Sequence, residues 1–339
     1  MSKEVVFKIT DYIEPDLKWE EEECKKLGID FHYYQMRDAS PQELIKTFKD
    51  AEILLTNMAT FNEEVINGLE NVKVLLRHGI GYDKVDVDAA TRNGIVFANE
   101  ATASSEDVAE HALMLIFETW RKRKMMDIVL ERWINTGKWS SAGISPIFRM
   151  KRKTLGIIGC GNIGSRVLKR VSGFGMKVLV CDPYLTPERY KELGITHIPF
   201  DDVLNEADIV TVHVPVTEET RGMFHLEKFK LMKSTSVVIN TARGPIIKTE
   251  DLVTALQRGI LAGAGIDVYE KEPPPRDSDL YKMDNVILTP HIAWYSEEGG
   301  WDIRYMIMDD VKAFLAGKLP QFVINPEVLE RPNLRFKRK

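Results

Sequence analysis

The sequence predicts an α/β protein built from two doubly wound parallel sheets. Two observations support this fold class. Strand-like apolar runs alternate with helix-like amphipathic runs along nearly the whole chain, as in folds assembled from βαβ units. In addition, a Gly-x-Gly-x-x-Gly turn lies near the middle of the chain, at Gly159, Gly161 and Gly164. Its position implies that one α/β unit precedes the unit that contains the turn.

The first hundred residues alternate strand and helix signals. A charged helix is predicted over residues 16–27, and Ser40 with Glu43 forms a capping-box pattern at the start of the next helix. The predicted strands cover residues 5–9, 31–34, 52–56, 72–76 and 95–97. Five strands separated by helical segments indicate a small parallel sheet.

The alternation resumes after residue 154 and predicts a second sheet of six strands. These strands cover residues 155–158, 177–182, 209–213, 236–240, 264–268 and 286–289. The amphipathic helix over residues 297–316 is expected to return to the first sheet, which otherwise lacks helices to cover both of its faces. The expected domains are therefore 1–101 with 293–339, and 102–292 between them.

Length and composition agree with a two-domain globular enzyme. The chain has 339 residues, 44% of them hydrophobic and 29% charged. The net charge of −5 disfavours a nucleic-acid partner. The basic runs 121–124 (RKRK) and 335–339 (RFKRK) are interpreted as a solvated helix face and a solvated chain end.

The sequence also indicates a cytoplasmic protein without a membrane partner or a metal site. The N-terminus lacks a basic region followed by an apolar stretch, and no apolar run is long enough to span a bilayer. The three cysteines, Cys24, Cys160 and Cys181, have neither paired nor metal-like spacing. We therefore interpret them as reduced packing residues.

The glycine turn predicts a dinucleotide site. In such turns the first glycine allows the tight turn, the second lets the backbone approach a pyrophosphate, and the third lets helix and strand pack closely. The N-terminus of the following helix faces the phosphates. The next strand ends on Asp182, where a ribose hydroxyl needs an acceptor. Because no arginine follows Asp182 to accept a 2′-phosphate, NAD is favoured over NADP.

Three polar loops follow strands of the second half. They present Arg243, the pair Glu270 and Glu272, and His291. Ligands collect at the carboxyl ends of strands in open α/β sheets. Arginine grips carboxylates, and histidine exchanges protons near neutral pH. Taken singly, each residue is also explained by a salt bridge, a loop hydrogen bond or solvent exposure. Together, beside a nucleotide site, they favour a catalytic interpretation.

The ordered motifs resemble those of the D-isomer-specific 2-hydroxyacid dehydrogenases. They are 77–83 (RHGIGYD), 159–164 (GCGNIG), 213–221 (HVPVTEETR), 240–244 (NTARG), 267–273 (DVYEKEP) and 289–291 (TPH). The resemblance implies a Rossmann NAD-binding domain inserted into a flavodoxin-like substrate domain. It also implies an enzyme that interconverts a small 2-keto acid and its D-2-hydroxy acid, and a homodimer formed through the cofactor domain.

The same resemblance implies roles for individual residues. Arg243 would bind and orient the substrate, Glu272 would pair with the histidine, and His291 would be the acid/base. The implied cofactor-binding residues are Gly159, Gly161, Asn162, Ile163, Gly164, Asp182, Val214, Pro215, Thr220, Thr241, Ala242, Arg243, Asp267 and His291. The implied substrate-binding residues are Gly79, Ile80, Gly81, Arg243, His291 and Trp294.

Within the family, two details narrow the choice of function. Formate dehydrogenases place glutamine where this chain has Glu272. The run 291–297 (HIAWYSE) most resembles the C-terminal-binding-protein branch and its phosphoglycerate dehydrogenase-like relatives. An NAD(H)-sensing, corepressor-like interaction protein is therefore the alternative to an enzyme. Trp294 would favour an apolar substrate, whereas a phosphorylated one would need Arg77 or His78, and the sequence leaves this choice open.

Overall fold

The computed structural model describes residues 4–337, so the last two residues of the predicted solvated tail lie outside the described residues. The chain divides into two compact units. One consists of Met1–Ser104 together with Ser296–Lys339, and the other is Ser105–Tyr295. The expected boundaries were 101/102 and 292/293. We call these the discontinuous unit and the central unit.

The discontinuous unit contains a five-stranded parallel sheet within the described residues. Its strands are β1 (Val5–Ile9), β2 (Ile29–Tyr33), β3 (Ile53–Thr56), β4 (Val74–Arg77) and β5 (Val96–Asn99). They lie in the order β2-β1-β3-β4-β5, the flavodoxin-like order. Its first helices are α1 (Lys18–Leu27), α2 (Pro41–Phe48), α3 (Glu63–Asn67) and α4 (Val87–Arg92). The predicted capping box begins α2.

The central unit contains a six-stranded parallel sheet. Its strands are β6 (Thr154–Ile158), β7 (Lys177–Cys181), β8 (Ile209–Val212), β9 (Val237–Asn240), β10 (Gly263–Ile266) and β11 (Val286–Leu288). They lie in the order β11-β10-β9-β8-β6-β7. A parallel bridge from Val180 to His197 adds a minimal strand beyond β7. With that bridge, the strand order contains the Rossmann pattern, and the strand order reverses between β6 and β8.

Helices cover both faces of the central sheet. The α-helices of the central unit are α5 (Ser105–Trp120), α6 (Arg123–Thr136), α7 (Asn162–Val171), α8 (Pro187–Leu193), α9 (Phe200–Glu206), α10 (Leu226–Phe229) and α11 (Thr249–Gln257). Apolar residues of α5 and α7 pack on one face of the sheet, and those of α9, α10 and α11 pack on the other. Strands buried on both faces account for the nearly continuous apolar runs of the sequence.

The last helix, α12 (Glu297–Leu315), belongs to the discontinuous unit. Its buried residues Ile303, Ile307 and Val311 pack with α1 against one face of the first sheet. Helices α2, α3 and α4 cover the other face. The fold class is thus confirmed as two doubly wound parallel sheets. Within residues 4–337, no helix combines the length and apolar character that crossing a bilayer requires.

Candidate active site

The glycine turn lies between β6 and α7, beside the point where the strand order of the central sheet reverses. Gly159 has a φ of +87°, and a Cβ there would lie 2.8 Å from the backbone of His213. A Cβ on Gly164 would lie 2.1 Å from the carbonyl oxygen of Gly159. By contrast, a Cβ on Gly161 would meet no atom within 4 Å. Internal packing therefore requires Gly159 and Gly164, whereas Gly161 borders open space.

The features around this space suit a dinucleotide. Helix α7 starts directly after Gly161, which has no side chain to cap the helix, and a helix N-terminus of this kind suits an anion. The carboxylate of Asp182 accepts hydrogen bonds from the amides of Cys160 at 2.7 Å and Tyr184 at 3.1 Å. These bonds fix it beside the turn, and each oxygen retains a lone pair for a ribose hydroxyl.

Two buried polar atoms at neighbouring strand ends have no partner among the described residues. They are Nδ1 of His213, after β8, and Oγ1 of Thr241, after β9. His213 pairs through Nε2 with the hydroxyl of Thr211 at 2.9 Å. Burial lowers the pKa of His213 to about 3, so its ring is neutral. These two atoms lie at the carboxyl ends of neighbouring strands, where ligands collect in open α/β sheets.

The loop after β8 holds three of the predicted cofactor residues. Val214 packs against the turn, since its Cγ1 lies 2.8 Å from where a Cβ on Gly159 would be. The hydroxyl of Thr220 donates to the carbonyl of Pro215 at 2.6 Å. This bond closes the loop on itself. In this structure Thr220 therefore shapes the loop through internal hydrogen bonds.

Arg243 lies in a loop that Asn240 closes. The side chain of Asn240 accepts from the amide of Ala242 at 3.0 Å and donates to the carbonyl of Arg243 at 2.9 Å. Gly244 follows, and a Cβ there would lie 1.9 Å from the backbone of Tyr269. A glycine is needed at this point because the loops after β9 and β10 are in direct contact. That contact brings Arg243 towards the loop that carries Glu272.

Glu272 and His291 form a close pair. Nδ1 of His291 lies 2.6 Å from Oε2 of Glu272, and the amide of Tyr269 donates to Oε1 of Glu272 at 3.0 Å. Burial alone would raise the pKa of Glu272. The hydrogen bond and charge of His291, the amide of Tyr269 and the charge of Arg243 outweigh burial and lower this pKa. The three residues that the sequence singled out therefore interact electrostatically.

Glu270, the other acid of that loop, has a structural role. Its carboxylate accepts from the amide of Thr249 at 2.6 Å, at the first residue of α11. An acceptor at a helix N-terminus satisfies an amide that has no partner within the helix. The strand-end pattern presented Glu270 and Glu272 together, and the family resemblance named Glu272 as the partner of the histidine.

The loop that carries His291 is held by the buried Asp267. Its Oδ1 accepts from the hydroxyl of Thr289 at 2.6 Å and the amide of Ile292 at 3.0 Å, and its Oδ2 accepts from the amide of Ala293 at 3.1 Å. His291 has a φ of +54°, a conformation uncommon outside glycine. Asp267, predicted as a cofactor residue, thus holds His291 in this conformation. Trp294 donates from its ring nitrogen to the carbonyl of His291 at 3.0 Å.

In the discontinuous unit, the loop after β4 presents three backbone amides. Gly79 has a φ of +106°. Its carbonyl accepts from the amide of Glu100 at 3.3 Å, and the carbonyl of Ile80 accepts from the side chain of Asn99 at 2.6 Å. The amides of Gly79, Ile80 and Gly81 donate to no described residue. Successive free amides of this kind can bind an anion.

Taken together, the glycine turn, the fixed aspartate and the Arg–Glu–His group define an NAD-dependent dehydrogenase. Residues 113–293 match the family described as "D-isomer specific 2-hydroxyacid dehydrogenase, NAD binding domain". The chain belongs to the D-isomer specific 2-hydroxyacid dehydrogenase family, which confirms the resemblance found in the sequence. Its cofactor is NAD.

The proteins similar to this chain are named for unphosphorylated and for phosphorylated substrates. A glyoxylate reductase of Korarchaeum cryptofilum is 34% identical over 86% of this chain and 88% of its own length. A D-3-phosphoglycerate dehydrogenase of Archaeoglobus fulgidus is 36% identical over 88% of this chain, which spans only 56% of that protein. Among solved structures, the D-lactate dehydrogenase from Aquifex aeolicus, complexed with NAD and lactic acid, is similar with a TM-score of 0.80 and 32% identity. This match covers 92% of this chain and 96% of that chain.

Proposed function

We propose that the protein reduces small 2-keto acids to D-2-hydroxy acids with NADH, reversibly, and that His291 is the acid/base. The observation that carries this proposal is the 2.6 Å contact between Nδ1 of His291 and Glu272. No described residue forms a hydrogen bond with the other ring nitrogen, Nε2. The side chain of His291 keeps 35% of its surface exposed, so Nε2 is available to a substrate.

The proton chemistry follows from that geometry. Glu272 stays ionised because its pKa is lowered, and an ionised carboxylate at Nδ1 keeps the proton on that nitrogen. Nε2 is then the atom that exchanges a proton with the substrate oxygen. It donates during reduction of the ketone and accepts during oxidation of the alcohol. Bound NADH supplies the hydride.

Carboxylate recognition is assigned to two groups. Arg243 offers a guanidinium that can hold a carboxylate through two parallel hydrogen bonds. The free amides of Gly79, Ile80 and Gly81 offer an anion-binding loop. Trp294 is proposed to bound the substrate, since its ring is anchored to the carbonyl of His291. Asp182 and the amides that follow Gly161 are proposed to hold the ribose and pyrophosphate of NAD.

The test is NADH oxidation with a panel of 2-keto acids, comprising pyruvate, glyoxylate, hydroxypyruvate and branched-chain members. We expect at least one of them to be reduced at an ordinary enzymatic rate, about 1–10³ per second. Tight NADH binding combined with slow reduction of every acid would contradict the proposal. That result would favour the alternative of an NAD(H)-sensing, corepressor-like protein.

We also infer a homodimer that forms through α6 of the central unit. None of the residues of α6 is buried. Large apolar side chains in and just after it are exposed, including Leu130 at 44%, Ile134 at 66% and Trp139 at 78%. Large apolar side chains exposed together on one helix are typical of an interaction site, and a second copy is the commonest partner. Sedimentation equilibrium is expected to give the mass of two chains, and a Leu130→Glu, Ile134→Glu variant that of one. A single-chain mass for the unmodified protein would exclude the dimer.

We place the protein in the cytoplasm. The three cysteines are free and buried, as suits a reducing compartment. A fluorescent fusion found outside the cytoplasm would contradict this assignment.

A further inference from the structure

We propose that the ion pair between Glu14 and His78 restricts the substrate to unphosphorylated 2-keto acids, which deepens the proposed function and rests on it. Relatives named for glyoxylate and for phosphoglycerate match this chain at 34% and 36% identity, so identity does not decide between the two substrates. The difference between them is a phosphate group. A phosphorylated substrate would require an uncompensated cation beside residues 79–81, which we call the substrate loop.

His78 directly precedes Gly79 in the chain, and Nη1 of Arg77 lies 3.5 Å from where a Cβ on Gly79 would be. Its Nε2 lies 2.6 Å from Oε1 of Glu14. The side chains are only 7% and 11% exposed. A phosphate would have to displace a buried carboxylate to reach this imidazole. In a buried site such an exchange leaves the displaced carboxylate unpaired, which is unfavourable.

Glu14 itself is held in its charged form. Burial alone would raise its pKa, but the hydrogen bond and charge of His78 and the backbone amides of Glu14 and Ile13 lower it to about 2. The amide of Ile13 donates to Oε2 at 3.0 Å, while His78 occupies Oε1. The carboxylate therefore remains a fixed negative charge beside the substrate loop.

Arg77, which precedes His78, also has a hydrogen-bond partner. Arg77 is 9% exposed, and its Nη1 donates to the side chain of Asn57 at 3.2 Å. At the same edge of the sheet, the buried carboxylate of Asp11 accepts from the amides of Asn57, Met58 and Ala59. The carboxylates of Asp11 and Glu14 thus lie at the same edge of the sheet as Arg77 and His78.

Other charged groups near this loop add no unpaired positive charge. Arg304, whose charge also interacts with Glu14, is paired with Glu20 at 2.6 Å. Burial, together with the charge of Asp310, raises the pKa of Glu100 to about 9, so Glu100 is neutral near pH 7. Lys84 is exposed on the loop and is flanked in sequence by Asp83 and Asp86. A phosphate monoester carries about 1.5 to 2 negative charges at pH 7 and is usually bound by arginine or lysine clusters. This edge offers it no excess of positive charge.

The test compares hydroxypyruvate with 3-phosphohydroxypyruvate, which differ only by the phosphoryl group. For the unmodified protein with NADH, we expect kcat/KM to favour hydroxypyruvate by at least about tenfold. Glu14→Gln should narrow this ratio by about tenfold or more, mainly by lowering KM for the phosphorylated acid, because it removes one negative charge beside the loop. Glu70→Gln, at an exposed position of the same unit, is the matched control and should leave the ratio unchanged.

Two outcomes would overturn this inference. One is a preference of the unmodified protein for 3-phosphohydroxypyruvate, which can be measured even if Glu14→Gln does not fold. The other is a folded Glu14→Gln variant with an unchanged ratio. Both leave the proposed reductase function intact. Failure to reduce any 2-keto acid would instead overturn the proposed function itself.

Discussion

Replacing His291 with alanine is expected to lower kcat for 2-keto acid reduction by at least about 10²–10⁴-fold, the usual contribution of general acid catalysis. The variant loses the imidazole that Glu272 orients at 2.6 Å, whereas Asp182 and the glycine turn are unchanged. We therefore expect NADH to bind with nearly unaltered affinity. Steady-state kinetics and a fluorescence titration with NADH measure the two quantities separately.

A histidine distant from this site provides the control. His32 is exposed and pairs with Asp30 at 2.9 Å in the discontinuous unit. Its replacement by alanine should leave kcat within about twofold, as expected for a surface substitution away from the chemistry. If His291→Ala also retained full turnover, the acid/base assignment would have to be abandoned.

The second large effect concerns the glycine turn, where Gly161→Ala and Gly164→Ala are expected to fail for different reasons. A methyl group on Gly164 would lie 2.1 Å from a backbone oxygen, so the turn must shift and the central unit loses stability, by about 1–3 kcal/mol or more. A methyl group on Gly161 meets no protein atom within 4 Å. It occupies the space in which we expect the pyrophosphate to approach.

Thermal unfolding and NADH titration distinguish the two variants. Gly164→Ala should lower Tm by several degrees. Gly161→Ala should retain a Tm closer to that of the unmodified protein and yet bind NADH at least about tenfold more weakly, because the backbone can no longer approach the phosphates. Unaltered NADH affinity in Gly161→Ala would show that the cofactor does not use this turn.

The short helices show where sequence reasoning stops within the fold. Helices α3, α4, α8 and α9 have five to seven residues, which is too few for a 3.6-residue periodicity to become evident. Their stability comes from packing on the sheets. The minimal strand formed by the bridge at His197 is equally local and left no sequence signal.

The candidate site likewise contains features that the sequence predicted and features that it did not. Loops at the carboxyl ends of parallel strands share one edge of a sheet, so sequence order was sufficient to propose Arg243, Glu272 and His291 as one group. It was not sufficient to separate Glu270 from Glu272, and that choice came from the family resemblance. In the structure, Glu272 contacts His291 and Glu270 contacts α11. His213 and Thr211 were likewise missed as a pair, because their polar side chains resemble ordinary strand ends in the sequence.

The sequence by itself determined the features that depend on residues close to each other in the chain. The strands, the capping box at Ser40, the glycine turn and the acid at Asp182 are set by local periodicity and backbone sterics. The tertiary structure alone decided which distant groups meet. Glu14 and His78 are 64 residues apart, and Asp267 reaches the amide of Ala293 across 26. Such pairs depend on which strands lie side by side, and the order of strands in a sheet does not follow from their order along the chain.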